Sequence, residues 1–125
     1  MFANKILLVE DDRDFFMVLK KRLEMKDYVV IHASDGYEAL YKYIEEKPGI
    51  IILDVMVPKL NGYEVCRWIR RAWKDTSVPI IMMTGKCEDY DRIKGKVIGA
   101  NRYLTKPFDL EKIMEEIRDL PRRHI

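Results

Sequence analysis

The sequence predicts an α/β domain: a doubly wound, five-stranded parallel sheet with five helices spread over both faces. Two observations lead there. Apolar runs of strand length recur at KILLVE (5–10), YVVIHA (28–33), GIIILD (49–54), PIIMM (79–83) and RYLTK (102–106), and helical patterns lie between and after them. The first four runs are nearly continuous instead of alternating, which suits strands covered on both faces. Strand followed by helix, five times over, requires crossover connections, and these are right-handed and put helices on both sides of a parallel sheet.

The helices follow from apolar spacing near 3.6 residues. Phe16, Leu19 and Leu23 define the first, and Ala39, Leu40, Tyr43 and Ile44 the second. Val65, Trp68, Ile69 and Ala72 define the third, and Leu110, Ile113, Met114 and Ile117 the last. Between these two lies the weakest, 87–98, interrupted by Gly95. Asp12, Asp35, Asn61 and Asp109 stand where N-caps are needed, with side chains suited to accept from the first unpaired amides. One of Trp68 and Trp73 is expected on the core face and the other in solvent.

Composition narrows the function classes. At 125 residues with 48% hydrophobic content, the chain is expected to form one domain over 1–125, and a second does not fit. The 23 basic and 21 acidic residues leave a formal charge of +2 with no basic arm or acidic tail, so direct nucleic-acid binding is not expected. Cys66 and Cys87 form no CxxC pair, which argues against a disulfide framework or a zinc site and for a reducing, cytoplasmic location. The most apolar stretch, GIIILDVMV, is too short to span a bilayer and contains Asp54, so no membrane insertion is expected. The N-terminus lacks a targeting pattern, and the chain is read as soluble and unprocessed.

In such a sheet, ligands bind beyond the carboxyl ends of the strands, where strand order reverses. Those ends carry Glu10-Asp11-Asp12, Asp54, Thr84-Gly85 and Thr105-Lys106-Pro107. Carboxylates gathered from two strand ends repel unless a cation offsets them. Mg²⁺, or Mn²⁺ in its place, takes oxygen ligands and keeps several waters, which suits a few carboxylates with room for a phosphoryl oxygen. Thr84 supplies a hydroxyl donor, Gly85 an unobstructed backbone and Lys106 an ammonium able to hold a phosphoryl oxygen. Together these groups describe phosphoryl transfer, with Asp54 as a nucleophile able to form an acyl phosphate. Acidic residues after a strand, taken alone, are more often helix N-caps than metal ligands, and Asp12 is assigned to that role.

Over essentially its whole length the chain resembles a response-regulator receiver domain of two-component signalling. The motifs VEDD, IILDVMVPKLNGYEV, IIMMTGK and GANRYLTKPF carry the resemblance, in order and at matching separations. It implies a flavodoxin-like sheet of order 2-1-3-4-5 and a phosphorylation-dependent switch. Asp54 is then the phosphoacceptor, Glu10, Asp11, Asp54 and the Met56 backbone carbonyl bind Mg²⁺, and Lys106 contacts the phosphoryl group. Thr84 and Tyr103 become the switch pair, and the bond between Lys106 and Pro107 is cis. The implied partners are a sensor histidine kinase or phosphotransfer protein and a downstream protein target. The implied output surface combines the fourth and fifth helices with the fifth strand. The chain is read as a switch with self-catalysed phosphotransfer and autodephosphorylation, not as an enzyme acting on external substrates. Met56 beside Asp54, and Lys86 two residues after Thr84, lead to an expectation of slow self-dephosphorylation.

The winged-helix transcription branch of that family carries acidic residues at the positions of Asn101 and Arg102, and a Glu and an Arg at those of Lys112 and Glu116. Its charge-paired dimer is therefore expected to be weakened, leaving a monomer or a weak phosphorylation-dependent dimer. If the chain is the complete protein, with no DNA-binding module after Ile125, the expected output is a protein contact; the alternative is the receiver portion of a longer transcriptional regulator. Two rivals share the architecture. A haloacid-dehalogenase-type phosphatase needs a second Asp where Met56 stands, and a flavin binder needs a Ser/Thr-rich phosphate loop where this chain is acidic. His32 and His124 lack a metal-ligand partner at usable spacing and are read as structural or exposed.

Overall fold

The structure, a computed structural model, describes residues 2–85, 99–105 and 109–120. The order along the chain is β1 (Phe2–Val9), α1 (Arg13–Glu24), β2 (Val29–Ala33), α2 (Gly36–Glu46) and β3 (Pro48–Asp54). Then come α3 (Gly62–Arg67), which runs on into a π-helical turn (Trp68–Ala72), β4 (Ile80–Thr84), β5 (Arg102–Thr105) and α4 (Leu110–Asp119). The helix expected over 87–98, Lys106, Pro107 and the cis bond between them lie outside the described residues. All five strands are parallel in the order β2-β1-β3-β4-β5, so the chain reverses direction across the sheet between β1 and β3.

Side chains alternate across a strand, and here each face of the sheet feeds its own apolar layer. Leu7, Val9, Ile51, Leu53, Ile80 and Met82 pack with Ala39, Val65, Cys66 and Ile69 on the side of α2 and α3. Ile6, Leu8, Ile50, Ile52, Ile81 and Met83 pack with Phe16, Leu19, Leu23, Ile113 and Ile117 on the side of α1 and α4. Every residue of β3 and β4 is buried, as their continuous apolar runs predicted. β2 departs from that expectation: only Ala33 of its five residues is buried, because β2 forms an edge with β1 as its one neighbour.

All four predicted N-caps are made. Asp12 accepts from the amide of Phe15 at 3.2 Å, Asp35 from Glu38 at 2.8 Å, Asn61 from Glu64 at 3.0 Å and Asp109 from Lys112 at 2.8 Å. At Asn61 the Glu64 carboxylate reciprocates, accepting from the Asn61 amide at 3.1 Å in a capping box.

The third helix corrects the sequence reading. Neither tryptophan lies on the core face: Trp68 is 45% and Trp73 38% exposed, and Ala72 is exposed too. Trp68 turns outward within ordinary α-helical geometry, its amide still bonding the Glu64 carbonyl. The π-helical turn that follows, in which the Trp73 amide bonds the Trp68 carbonyl at 3.0 Å, shifts the phase of the residues after it and turns Trp73 outward. Residues five apart in a regular α-helix point roughly 140° away from each other. Widening the turn brings the two indoles together, with ring centres 5.9 Å apart, and lays Trp73 flat on Tyr43 of α2 at 5.5 Å.

The amino ends of the central strands are closed by a polar network. Asp75 accepts from the Ser77 amide at 3.0 Å and the Val78 amide at 3.1 Å, and also from the Tyr43 hydroxyl. Arg70 donates to the carbonyls of Asp75 and Gly99 and to the side chain of Asn101, whose oxygen also takes the Ile80 amide at 2.8 Å. The turn before β4 and the start of β5 are thereby tied to α3.

Candidate functional site

At the opposite, carboxyl ends of the strands, adjacency fixes the site. β1 pairs with β3 in the register Val9↔Leu53, so the next residues, Glu10 and Asp54, emerge side by side at the reversal point. A carboxylate oxygen from each of Glu10, Asp11 and Asp54 lies within 4.8 Å of the others. Glu10 is 1% and Asp54 5% exposed, while Asp11 faces solvent. The predicted acidic trio is therefore brought together, and Asp12, capping α1, stands apart in role.

Each acid is oriented by its surroundings. Glu10 Oε2 accepts from the Asp12 amide at 3.1 Å, and the Glu10 amide donates to the Ala33 carbonyl at 3.0 Å. His32 Nε2 donates to the Glu10 carbonyl at 2.9 Å, and its ring stacks on Phe16 with centres 3.7 Å apart. Asp54 Oδ1 accepts from the Met56 amide at 2.8 Å. The Val55 amide bonds the Met83 carbonyl at 2.8 Å, and the Gly62 amide bonds the Val55 carbonyl at 2.9 Å. Gly62 sits so close that an added Cβ would lie 2.7 Å from the Asp54 carbonyl oxygen and 2.8 Å from Val55 Cα. Only glycine lets α3 abut the loop that carries Asp54.

Two nearly buried carboxylates and a third beside them make a strongly anionic crevice, and desolvation and mutual repulsion both oppose it. An all-oxygen donor set of this size, open to solvent on the Asp11 side, fits a hard divalent cation that retains water. Thr84, 1% exposed, ends β4 beside β3, whose Asp54 pairs with Met83. Gly85 follows with nothing within 4 Å of where a Cβ would be, the open backbone expected of it. The Met56 side chain is 60% exposed. Lys106 lies outside the described residues.

Three contributions went unseen in the sequence. His32, read there as structural or exposed, is half-buried and supports Glu10. Tyr63, the residue after Gly62, is buried, and its hydroxyl is 3.2 Å from that of half-buried Tyr103 on β5. Thr105 Oγ1, on the strand position paired with Thr84, is buried with no hydrogen-bond partner among the described residues. The contact between His32 and Glu10 joins residues 22 apart and that between Tyr63 and Tyr103 joins residues 40 apart, so neither has a signal within a short window.

The charges expected to alter dimerisation interact within the chain. Arg102 Nε is 2.9 Å from Glu116, and Lys112 reaches the same carboxylate at 3.1 Å. No helix among the described residues is long and apolar enough to cross a membrane.

Residues 6–118 match the family model described as the response regulator receiver domain. The chain is 44% identical over 120 residues to the alkaline phosphatase synthesis transcriptional regulatory protein PhoP of Bacillus subtilis, covering 96% of this chain and 49% of that protein. It is 45% identical over 120 residues to a probable transcriptional regulator, ycf27, of Guillardia theta, covering 96% of this chain and 46% of that one. The chain thus spans about half the length of the curated relatives it matches. Among solved structures, it is similar to the chemotaxis protein CheY4 of Vibrio cholerae at TM-score 0.86 and 30% identity, covering 94% and 98% of the two chains. The beryllofluoride-activated N-terminal receiver domain of Klebsiella pneumoniae RstA gives TM-score 0.84 and 30% identity over 92% and 96%.

Proposed function

The chain belongs to the response regulator receiver domain family, and from that premise we propose that Asp54 takes a phosphoryl group from the phosphohistidine of a sensor histidine kinase or phosphotransfer protein. The observation that carries this reading is the convergence of Glu10, Asp11 and Asp54 within 4.8 Å at the reversal point of the sheet. An Asp54 oxygen attacks phosphorus; the P–O bond forms as the P–N bond breaks, and the imidazole leaves with the electron pair and takes up a proton. The Met56 amide holds the Asp54 carboxylate in a fixed orientation, which removes part of the entropy cost of attack. Glu10, Asp11, Asp54 and the Met56 carbonyl would hold Mg²⁺, which when bound offsets the charge of the carboxylates and of the incoming phosphoryl oxygens. Thr84 donates its hydroxyl to one phosphoryl oxygen and Lys106 its ammonium to another. The same groups return the protein to rest by directing water onto the acyl phosphate.

The added charge and acceptors draw Thr84 inward, and Tyr103 rotates into the space it leaves, which alters the β5 and α4 surface offered to a partner. The protein so described is a cytoplasmic phosphoacceptor switch, a monomer or weak phosphorylation-dependent dimer. The two relatives named above are a transcriptional regulatory protein and a probable transcriptional regulator about twice its length, which favours a second reading: the chain is the receiver portion of a longer regulator, with output passed to an attached effector. The test of the phosphoacceptor reading is incubation with a small phosphodonor and Mg²⁺ followed by intact mass. Wild type gains one phosphoryl group and Asp54→Ala gains none; equal incorporation in both would overturn it.

A further inference from the structure

The hydroxyl pair formed by Tyr63 and Tyr103 connects the Asp54 loop to β5. Tyr63 lies in the first turn of α3, next to Gly62, whose Cα packs against the backbone of Asp54 and Val55 with no room for a side chain. Tyr63 itself is 6% exposed, part of the apolar layer on the α2 and α3 side, and Tyr103 packs against that same layer from β5. Their hydroxyls meet at 3.2 Å, and either can donate. A rotation of Tyr103 that carries its hydroxyl away from Tyr63 breaks the bond, and a Tyr63 displaced with the Asp54 loop loosens it.

We propose that Tyr63 is a positioning residue of the switch: its hydroxyl latches Tyr103 in the resting, half-buried position and so sets how much phosphorylation must supply to turn it. The proposal rests on the phosphoacceptor reading and adds a residue to it. A hydrogen bond present in only one of two states biases their equilibrium by its net strength, and the apparent affinity of a ligand selecting the other state falls by the same factor. Loss of one neutral hydroxyl bond corresponds to about a two- to tenfold change.

The test uses beryllofluoride with Mg²⁺ as the phosphoryl mimic, its affinity read from backbone amide shifts of the Asp54 loop, in wild type, Tyr63→Phe, Tyr103→Phe and the double variant. Tyr63→Phe is expected to bind about two- to tenfold more tightly than wild type, with its Tyr103 ring resonances moved toward their beryllofluoride-bound positions before ligand is added. The double variant is expected to gain less than the sum of the two single variants, since the bond between Tyr63 and Tyr103 is lost in either. Melting curves of all four proteins register any general loss of packing, which weakens binding instead of tightening it. A wild type that binds beryllofluoride together with an unchanged or weaker Tyr63→Phe, or with fully additive single effects, overturns the latch alone. A wild type that binds none overturns the phosphoacceptor reading and the latch with it.

Discussion

The two ends of the sheet handle polar groups in opposite ways. At the amino ends, Asp75 and Asn101 are surrounded by donors: the amides of Ser77, Val78 and Ile80, the Tyr43 hydroxyl and the Arg70 guanidinium. At the carboxyl ends, three carboxylates of one sign converge, two of them nearly buried. The first arrangement spreads charge over many hydrogen bonds and locks loops; the second concentrates charge where a cation and a phosphoryl group can use it. One end of the fold is organised for stability and the other for chemistry, and substitutions at each should therefore fail differently.

The largest stability effect is expected from Asp75→Ala, which leaves the Ser77 and Val78 amides and the Tyr43 hydroxyl without their acceptor. Chemical denaturation should register a loss of about 2–4 kcal/mol, with phosphate incorporation at Asp54 unchanged in the remaining folded protein. Parallel loss of incorporation would erase the distinction between the ends. Gly62→Ala should cost less stability, about 1–3 kcal/mol, because one methyl group is forced against the Asp54 and Val55 backbone. Its effect on function should exceed its effect on folding: displacing the nucleophile's loop should slow phosphodonor uptake on the order of tenfold. Uptake at the wild-type rate would mean that the close approach of α3 does not position Asp54.

A smaller, pH-dependent effect belongs to Cys66 in the core layer between the ends. Burial pushes its thiol from 9.0 up to about 11. A folded pKa above the unfolded value means that the neutral thiol's stabilisation is complete below about pH 9 and is lost as pH rises towards 11. The stability difference between wild type and Cys66→Ala should therefore shrink over that interval when unfolding is followed at fixed temperature. A difference that stays constant would contradict the buried assignment, as would rapid labelling of Cys66 by a thiol reagent at pH 8.

Much of this was legible because local and global signals coincide. Continuous apolar runs marked β3 and β4 as central strands, and Asp12, Asp35, Asn61 and Asp109 were readable as caps because capping depends on a side chain and an amide three residues on. The acidic trio was legible through the rule that parallel strands deliver their carboxyl ends to one crevice. What escaped depends on features that no short window contains. The exposure of Trp73 follows from one five-residue hydrogen bond that resets the helical phase after Trp68, and the half-exposed β2 follows from its place at an edge. Tyr63 reads locally as one more apolar position of a helix; its hydroxyl acquires a partner only when β5 is laid down beside β4.

The claim that the carboxyl-end crevice is a cation site is tested most directly by melting wild type and Asp11→Asn with and without Mg²⁺. Without the ion, Asp11→Asn should be at least as stable as wild type, since one of three repelling charges is gone. With Mg²⁺ at about ten times its dissociation constant, wild type should gain about 1.4 kcal/mol, a rise in Tm of about 3–6 °C, and Asp11→Asn should gain clearly less. A wild type whose Tm ignores Mg²⁺, or two proteins that respond alike, would contradict the account.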